Sequence, residues 1–164
     1  MKTIFNLILF FFILFFPNSV SSKDKNDKNL LAISGGLWDW NDASTAGLFN
    51  LEYRHGTRYG LFKPIIGGLL NTDHGFYGYA GIRIDLYLTK KLIIAPSFAP
   101  GLYEKGDGKD LGHKIEFRSG LDLSYRRNND ARVGMEVHHL SNASLDENNP
   151  GTETFLFTYS IPLD

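Results

Sequence analysis

Residues 133–163 read VGMEVHHLSNASLDENNPGTETFLFTYSIPL. The stretch has the form of two strands joined by a polar loop. Alternate side chains of a strand share a face, so Val133, Met135 and Val137 line one side of the first strand. Phe155, Phe157 and Tyr159 line one side of the second. His139, Ser141 and Glu153 fall on those same apolar sides. An imidazole, a hydroxyl and a carboxylate on the most apolar surface of a chain call for a reason, and the rest of the sequence supplies one.

The same period of two recurs through the mature part of the chain. About eight segments show it, at roughly 29–39, 46–55, 60–70, 75–89, 91–103, 113–127, 131–141 and 153–163, with turn residues between them. In the fourth, Phe76, Ala80, Ile82, Ile84, Leu86 and Leu88 oppose Tyr77, Tyr79, Arg83, Asp85 and Tyr87. In the sixth, Ile115, Phe117, Leu121, Leu123 and Tyr125 oppose Glu116, Arg118, Asp122 and Ser124. The polar sides carry both signs of charge, so they can neutralise one another inside a closed structure. Pro64, Pro96 and Pro100 remove ladder donors and predict bulges or bends in the third and fifth segments.

A soluble sandwich and a small membrane barrel both produce this alternation, and alternation alone does not choose between them. Three features favour the barrel. The chain opens with MKTIFNLILFFFILFFPNSVSSKD: one lysine, an apolar run, then small residues, the order of a secretory signal. Residues 1–22 are therefore expected to be a signal peptide cleaved after Ser21 or Ser22, with 23–164 a single domain. An uncleaved N-terminal anchor is the alternative. The apolar sides are long, several segments reaching the ~9–11 residues of a tilted transmembrane strand. The connections also tend to alternate in length, as short periplasmic turns and longer external loops do. The expected fold is all-β: an eight-stranded antiparallel, up-and-down outer-membrane β-barrel, apolar outside and polar within.

Composition narrows the chemistry. The 164 residues contain no cysteine, which excludes disulfides, thiolate ligands and a thiol nucleophile. The net charge of −1 argues against a nucleic-acid partner. His55, His74 and His113 lie near turns on different segments, and no metal-ligand spacing links them. Trp38 and Trp40 are expected as interfacial anchors. Lys105, Lys109 and Lys114 surround a long loop and either meet lipid phosphates or are simply solvated.

In a barrel whose odd strands run outward, the end of the seventh segment meets the start of the eighth at the outer leaflet. His139 and Ser141 share a face, and Glu153 lies across from His139. A serine hydroxyl is a weak nucleophile until a base takes its proton. An imidazole takes it, and a carboxylate fixes the ring's tautomer and stabilises the imidazolium. The oxyanion that forms needs donors aimed at it: the amide of Asn142, or a nearby backbone N–H. Gly151 permits close backbone approach in the same loop. The plainer readings are that the His-x-Ser pair belongs to a polar interfacial band, that Glu153 is a solvated loop residue, and that Asn149-Pro150-Gly151 is an ordinary turn.

The run His139-Leu140-Ser141-Asn142-Ala143, with Asn149-Pro150-Gly151 and Glu153, resembles the C-terminal signature of the lipid A 3-O-deacylases (PagL family). Asp73-His74-Gly75-Phe76-Tyr77-Gly78-Tyr79-Ala80-Gly81 resembles the middle of that family. The resemblance implies an outer-membrane serine esterase that hydrolyses the 3-O-linked acyl chain of lipid A. It implies Ser141 as nucleophile, His139 as base and Glu153 as the residue orienting it, with Asn142 serving the oxyanion and Asn149 supporting the loop. Lipid A, or the lipopolysaccharide carrying it, is then the substrate, outer-membrane lipid the surroundings, and no metal or cofactor is implied. A homodimer stays open. The chain departs from many outer-membrane barrels in ending on Ile161-Pro162-Leu163-Asp164 rather than on an aromatic residue. Two other readings remain: a phospholipase or acyltransferase barrel with the same site, and a non-catalytic small barrel serving as an adhesin or structural protein.

Overall fold

The computed structural model describes residues 27–42 and 45–163; the expected signal peptide at 1–22 lies outside them. Nine strands run in chain order: β1 (Asn29–Trp38), β2 (Ala46–Arg54), β3 (Lys63–Asn71), β4 (Phe76–Arg83), β5 (Leu86–Tyr87), β6 (Leu92–Glu104), β7 (Ile115–Arg126), β8 (Arg132–Ser141) and β9 (Thr152–Leu163). Sequence neighbours pair antiparallel except β4 and β5, which both pair with β6, and β1 pairs with β9. The sheet is closed. β5 continues β4 along β6, so the described residues form eight staves, and no edge is left unpaired where lipid would leave it unsatisfied.

Prolines explain why the fourth stave is split. Ile84 N–H donates to Pro96 O at 3.0 Å, but Pro96 has no N–H to return. The β4–β6 ladder likewise skips the positions opposite Ala99 and Pro100. The register nevertheless stays constant, from Phe76↔Glu104 through Arg83↔Ser97 to Leu86↔Ile94. The prolines thus cost individual bonds on one seam and cause no bulge there, contrary to the expectation from sequence. On the other seam β6 pairs with β7 without a break from Leu92 to Leu102.

Side chains are distributed as a membrane barrel requires and a soluble sandwich does not. Phe49, Leu51, Ile66, Leu70, Phe98, Leu102, Leu123, Met135 and Phe157 stand exposed around the outer wall. Arg54, Glu52, Arg118, Asp122 and Glu136 are buried inside. Arg54 donates to Glu52 (2.7 Å), Asp122 (3.1 Å) and Glu136 (2.5 Å), and Arg118 donates to Glu52 (2.6 Å) and lies over the Tyr79 ring. Nearer the chain termini, Asp85 accepts from Arg83, Arg132 and Lys63, while Asp27 pairs with Lys63 and Arg132. A buried charge persists only when paired, and each of these side chains faces one of the opposite sign.

The interior differs at its two ends. The connections 39–45, 72–75, 105–114 and 142–151 share one end; 55–62, 88–91 and 127–131 share the other. Beneath the first set lies an apolar plug that includes Trp38, Leu69, Tyr77, Tyr103, Leu111, Leu140 and Leu156. Trp38 is 1% exposed and stacks on Tyr103 with centroids 5.6 Å apart. It is an interior plug residue, not the interfacial anchor expected from sequence. Its even position in β1 carries it inward with Leu30, Ala32 and Ser34. Trp40, past the strand end, is half exposed.

Candidate active site

β8 and β9 set the site. Their register runs from Arg132↔Ser160 to Leu140↔Thr152, which places His139 directly opposite Glu153. His138 and Leu140 turn inward on either side of His139, and Leu140 is fully buried in the plug. A slip of one residue would exchange the faces, driving the imidazole and hydroxyl into the plug and Leu140 outward. The apolar contacts of Leu140 and Leu156 therefore hold His139 and Ser141 on the outer wall, two residues apart on one face.

His139 Nδ1 lies 3.1 Å from Glu153 Oε1, with the two side chains 27% and 38% exposed. A carboxylate only accepts, so Nδ1 carries the hydrogen and Nε2 is left as the basic nitrogen. On β7, Phe117 pairs with Ser141 and Ser119 with His139. Phe117 stacks on Phe98 of β6, centroids 6.0 Å apart. An aromatic, lipid-facing wall thus borders the serine. Sequence reading did not single out Phe117, Phe98 or Ser119. Strand parity put Phe117 on the apolar face, but only the β7–β8 register brings it beside Ser141.

Gly151 fits closely against the imidazole. Its φ is +66°, and a Cβ placed there would stand 2.8 Å from His139 Cε1 and 3.1 Å from Leu140 O. The backbone at this glycine thus approaches the His139 imidazole.

Asn142 has a different place from the one expected of its amide. It is fully buried, and its Nδ2 donates to Leu111 O (2.9 Å) and Asn148 O (2.8 Å). Both amide hydrogens are committed, which leaves none for an oxyanion. Its Oδ1 accepts from Ser144 N, and its own N–H donates to Asn149 Oδ1 at 3.1 Å. Asn142 is the knot between the loop 105–114, folded inward over the plug through buried Leu111, and the loop 142–151. Asn149 is drawn into the same knot.

The other histidines and lysines near the site sort by face. His138 is buried, within 3.3 Å of Thr154 Oγ1, and Gly120 opposite it has no Cβ where the ring lies. Lys105 pairs with Asp110, Lys114 with Glu104, and Lys109 with Asp39 and Asp42. His74 pairs with Asp107 at the exposed loop end.

A family model described as lipid A 3-O-deacylase (PagL) matches residues 28–162. Among solved structures, the crystal structure of the outer membrane enzyme PagL is similar with a TM-score of 0.64 at 15% identity, covering 82% of this chain and 99% of that one. A de novo designed transmembrane β-barrel is similar with a TM-score of 0.56 at 11% identity, covering 85% of this chain and 98% of that one. At these identities the structural likeness speaks for the fold. No curated protein sequence matches.

Proposed function

The chain belongs to the lipid A 3-O-deacylase (PagL) family, and from that premise we propose that it removes the 3-O-linked acyl chain of lipid A with a Ser141–His139–Glu153 triad on its lipid-facing wall. It is a carboxylic ester hydrolase of the outer membrane, and lipid A is its substrate. The observation that carries the triad is the His139–Glu153 hydrogen bond, formed on the membrane side of a barrel whose ion pairs between strands, among the described residues, lie within. A purely structural barrel has no use for that pair where apolar side chains are best suited to the surroundings. With the long-loop end outward, the site lies at the depth of the outer leaflet's acyl esters.

In the proposed reaction, His139 Nε2 takes the Ser141 hydroxyl proton as Oγ attacks the ester carbonyl carbon. The oxyanion is received by N–H groups of the loop 142–151, which Asn142 and Asn149 hold in shape. As the tetrahedral intermediate collapses, the bond to the sugar oxygen breaks and His139 returns the proton to that oxygen. A water molecule, deprotonated by His139, then attacks the acyl-enzyme carbonyl; the bond to Ser141 Oγ breaks, His139 returns the proton to that oxygen, and the fatty acid leaves. Glu153 keeps the ring oriented and offsets its charge through both steps.

The test is mass spectrometry of lipid A from a deacylase-free host expressing the protein. The wild type should lighten lipid A by one 3-hydroxy acyl chain and release that acid. Ser141→Ala and His139→Ala should leave lipid A unchanged while the barrel still assembles. A gain of mass would mean an acyltransferase, and an unchanged lipid A with altered phospholipids would mean a phospholipase. Lightened lipid A in either variant would remove the triad assignment.

A further inference from the structure

On the inner side of the wall, behind the first residues of β9, sits a buried acid outside the triad. Asp39 follows the last residue of β1 and is fully buried. Its backbone N–H donates to Glu153 O at 2.8 Å. Its carboxylate accepts from Thr152 Oγ1 (2.9 Å) and from Lys109 Nζ (2.8 and 3.0 Å). Lys109 also reaches Asp42 at 3.3 Å. The backbone at Asp39 is left-handed, φ +53°, a conformation Asp and Asn tolerate better than other side chains with a Cβ.

The ladder between β1 and β9 ends at Trp38↔Thr154. Glu153 therefore lies beyond its last β1 strand partner. On that side the Asp39 main chain takes the Glu153 carbonyl, and the Asp39 carboxylate takes the preceding Thr152 hydroxyl. Without them the start of β9 would be tethered by β8 alone, and His139 with it would lose a fixed carboxylate. A buried carboxylate in turn needs a counterion, which the loop 105–114 supplies as Lys109.

We propose that Asp39, with Lys109 as its counterion, is a positioning residue for the reaction, holding Thr152 and Glu153 in place and thereby orienting His139. The proposal rests on the triad reading above. It also gives Lys109 an occupation inside the protein in place of a lipid phosphate.

The test is a kinetic cycle on the full-length enzyme in lipid. Asp39→Asn keeps the left-handed backbone and its N–H but removes the charge. It should lower kcat about tenfold, in keeping with small misplacements of catalytic groups, with KM held within about twofold. Combined with Glu153→Gln it should add little, because both changes act on one carboxylate. Should Asp39→Asn fail to assemble, Lys109→Met carries the test: Lys109 lies outside the strands, and its loss should lower kcat in the same way with KM unchanged. Losses that multiply in the double variant, or a Lys109→Met enzyme with raised KM and intact kcat, would overturn the proposal. A fully active Glu153→Gln would instead remove the triad reading on which it stands, and that single variant tells the two failures apart.

Discussion

His139 and Glu153 are 14 residues apart in sequence, yet they face each other across the β8–β9 ladder with Nδ1 3.1 Å from Oε1. The register that joins them is fixed from the other side of the wall, where Leu140 and Leu156 are fully buried in the apolar plug. Packing of ordinary aliphatic side chains within the barrel thus sets the geometry of a polar pair outside it.

Glu153→Gln separates orientation from attack. The amide oxygen can still accept from Nδ1–H, but the negative charge that favours the imidazolium is gone, and the amide nitrogen competes to donate. Activity should fall by a factor roughly one to two orders of magnitude smaller than that for Ser141→Ala, as carboxylate losses do in other triads. Fatty-acid release from purified enzyme checks this. A loss equal to that of the serine variant would make the carboxylate more than an orienting group.

Gly151→Ala tests the contact on the His139 ring. The new methyl would meet His139 Cε1 at 2.8 Å in a backbone conformation with φ +66°. The ring must shift, and shifts of that order in a catalytic group cost up to about 100-fold. Gly151→Asn tolerates the left-handed backbone but not the crowding. Both variants should therefore lose kcat while retaining the barrel. If only the alanine variant is impaired, backbone strain rather than the imidazole is responsible.

How much of this was legible in the sequence depends on whether the signal was local. The alternation in 75–89, 113–127 and 131–141 identifies staves with apolar outer faces, and the spacing of His139 and Ser141 places both on one of them. Glu153 needs only the neighbouring strand, so the proposed triad could be assembled from parity and a hairpin. Trp38 shares the inward parity of Leu30, Ala32 and Ser34, but parity does not say what fills that side at a given depth, and the apolar plug that receives the indole is not visible from one strand. Asn142 follows the serine directly and so looked like an oxyanion donor. Its partners, Leu111 O and Asn148 O, lie in loops whose paths no periodicity describes. The prolines of β6 predicted bulges because a missing donor is a local fact, whereas the unbroken β6–β7 ladder that keeps the register is not.

Arg54 is the residue on which the charged half of the interior most depends. One guanidinium donates to Glu52, Asp122, Glu136 and Ser160, drawn from four different strands of the wall. Glu52 has a second cation in Arg118 at 2.6 Å, and Asp122 has Arg83 at 3.9 Å, but Glu136 pairs with no second guanidinium among the described residues, its other neighbours being the His138 ring at 3.5 Å and the Thr158 hydroxyl. Arg54→Met fills a similar volume without the charge and leaves Glu136 buried with no guanidinium. Removing one partner of a buried pair typically costs about 3–5 kcal/mol, and unfolding by urea from lipid vesicles should show a loss of that size. Adding Glu136→Leu removes the stranded charge as well and should recover a large part of it, since replacing a whole buried pair by apolar groups is often neutral. Arg54 ends β2 at the turn end of the barrel, away from His139, so the variant that does fold should keep its deacylation rate. A loss under 1 kcal/mol, or a double variant less stable than the single one, would mean that interior water rather than Arg54 balances these carboxylates.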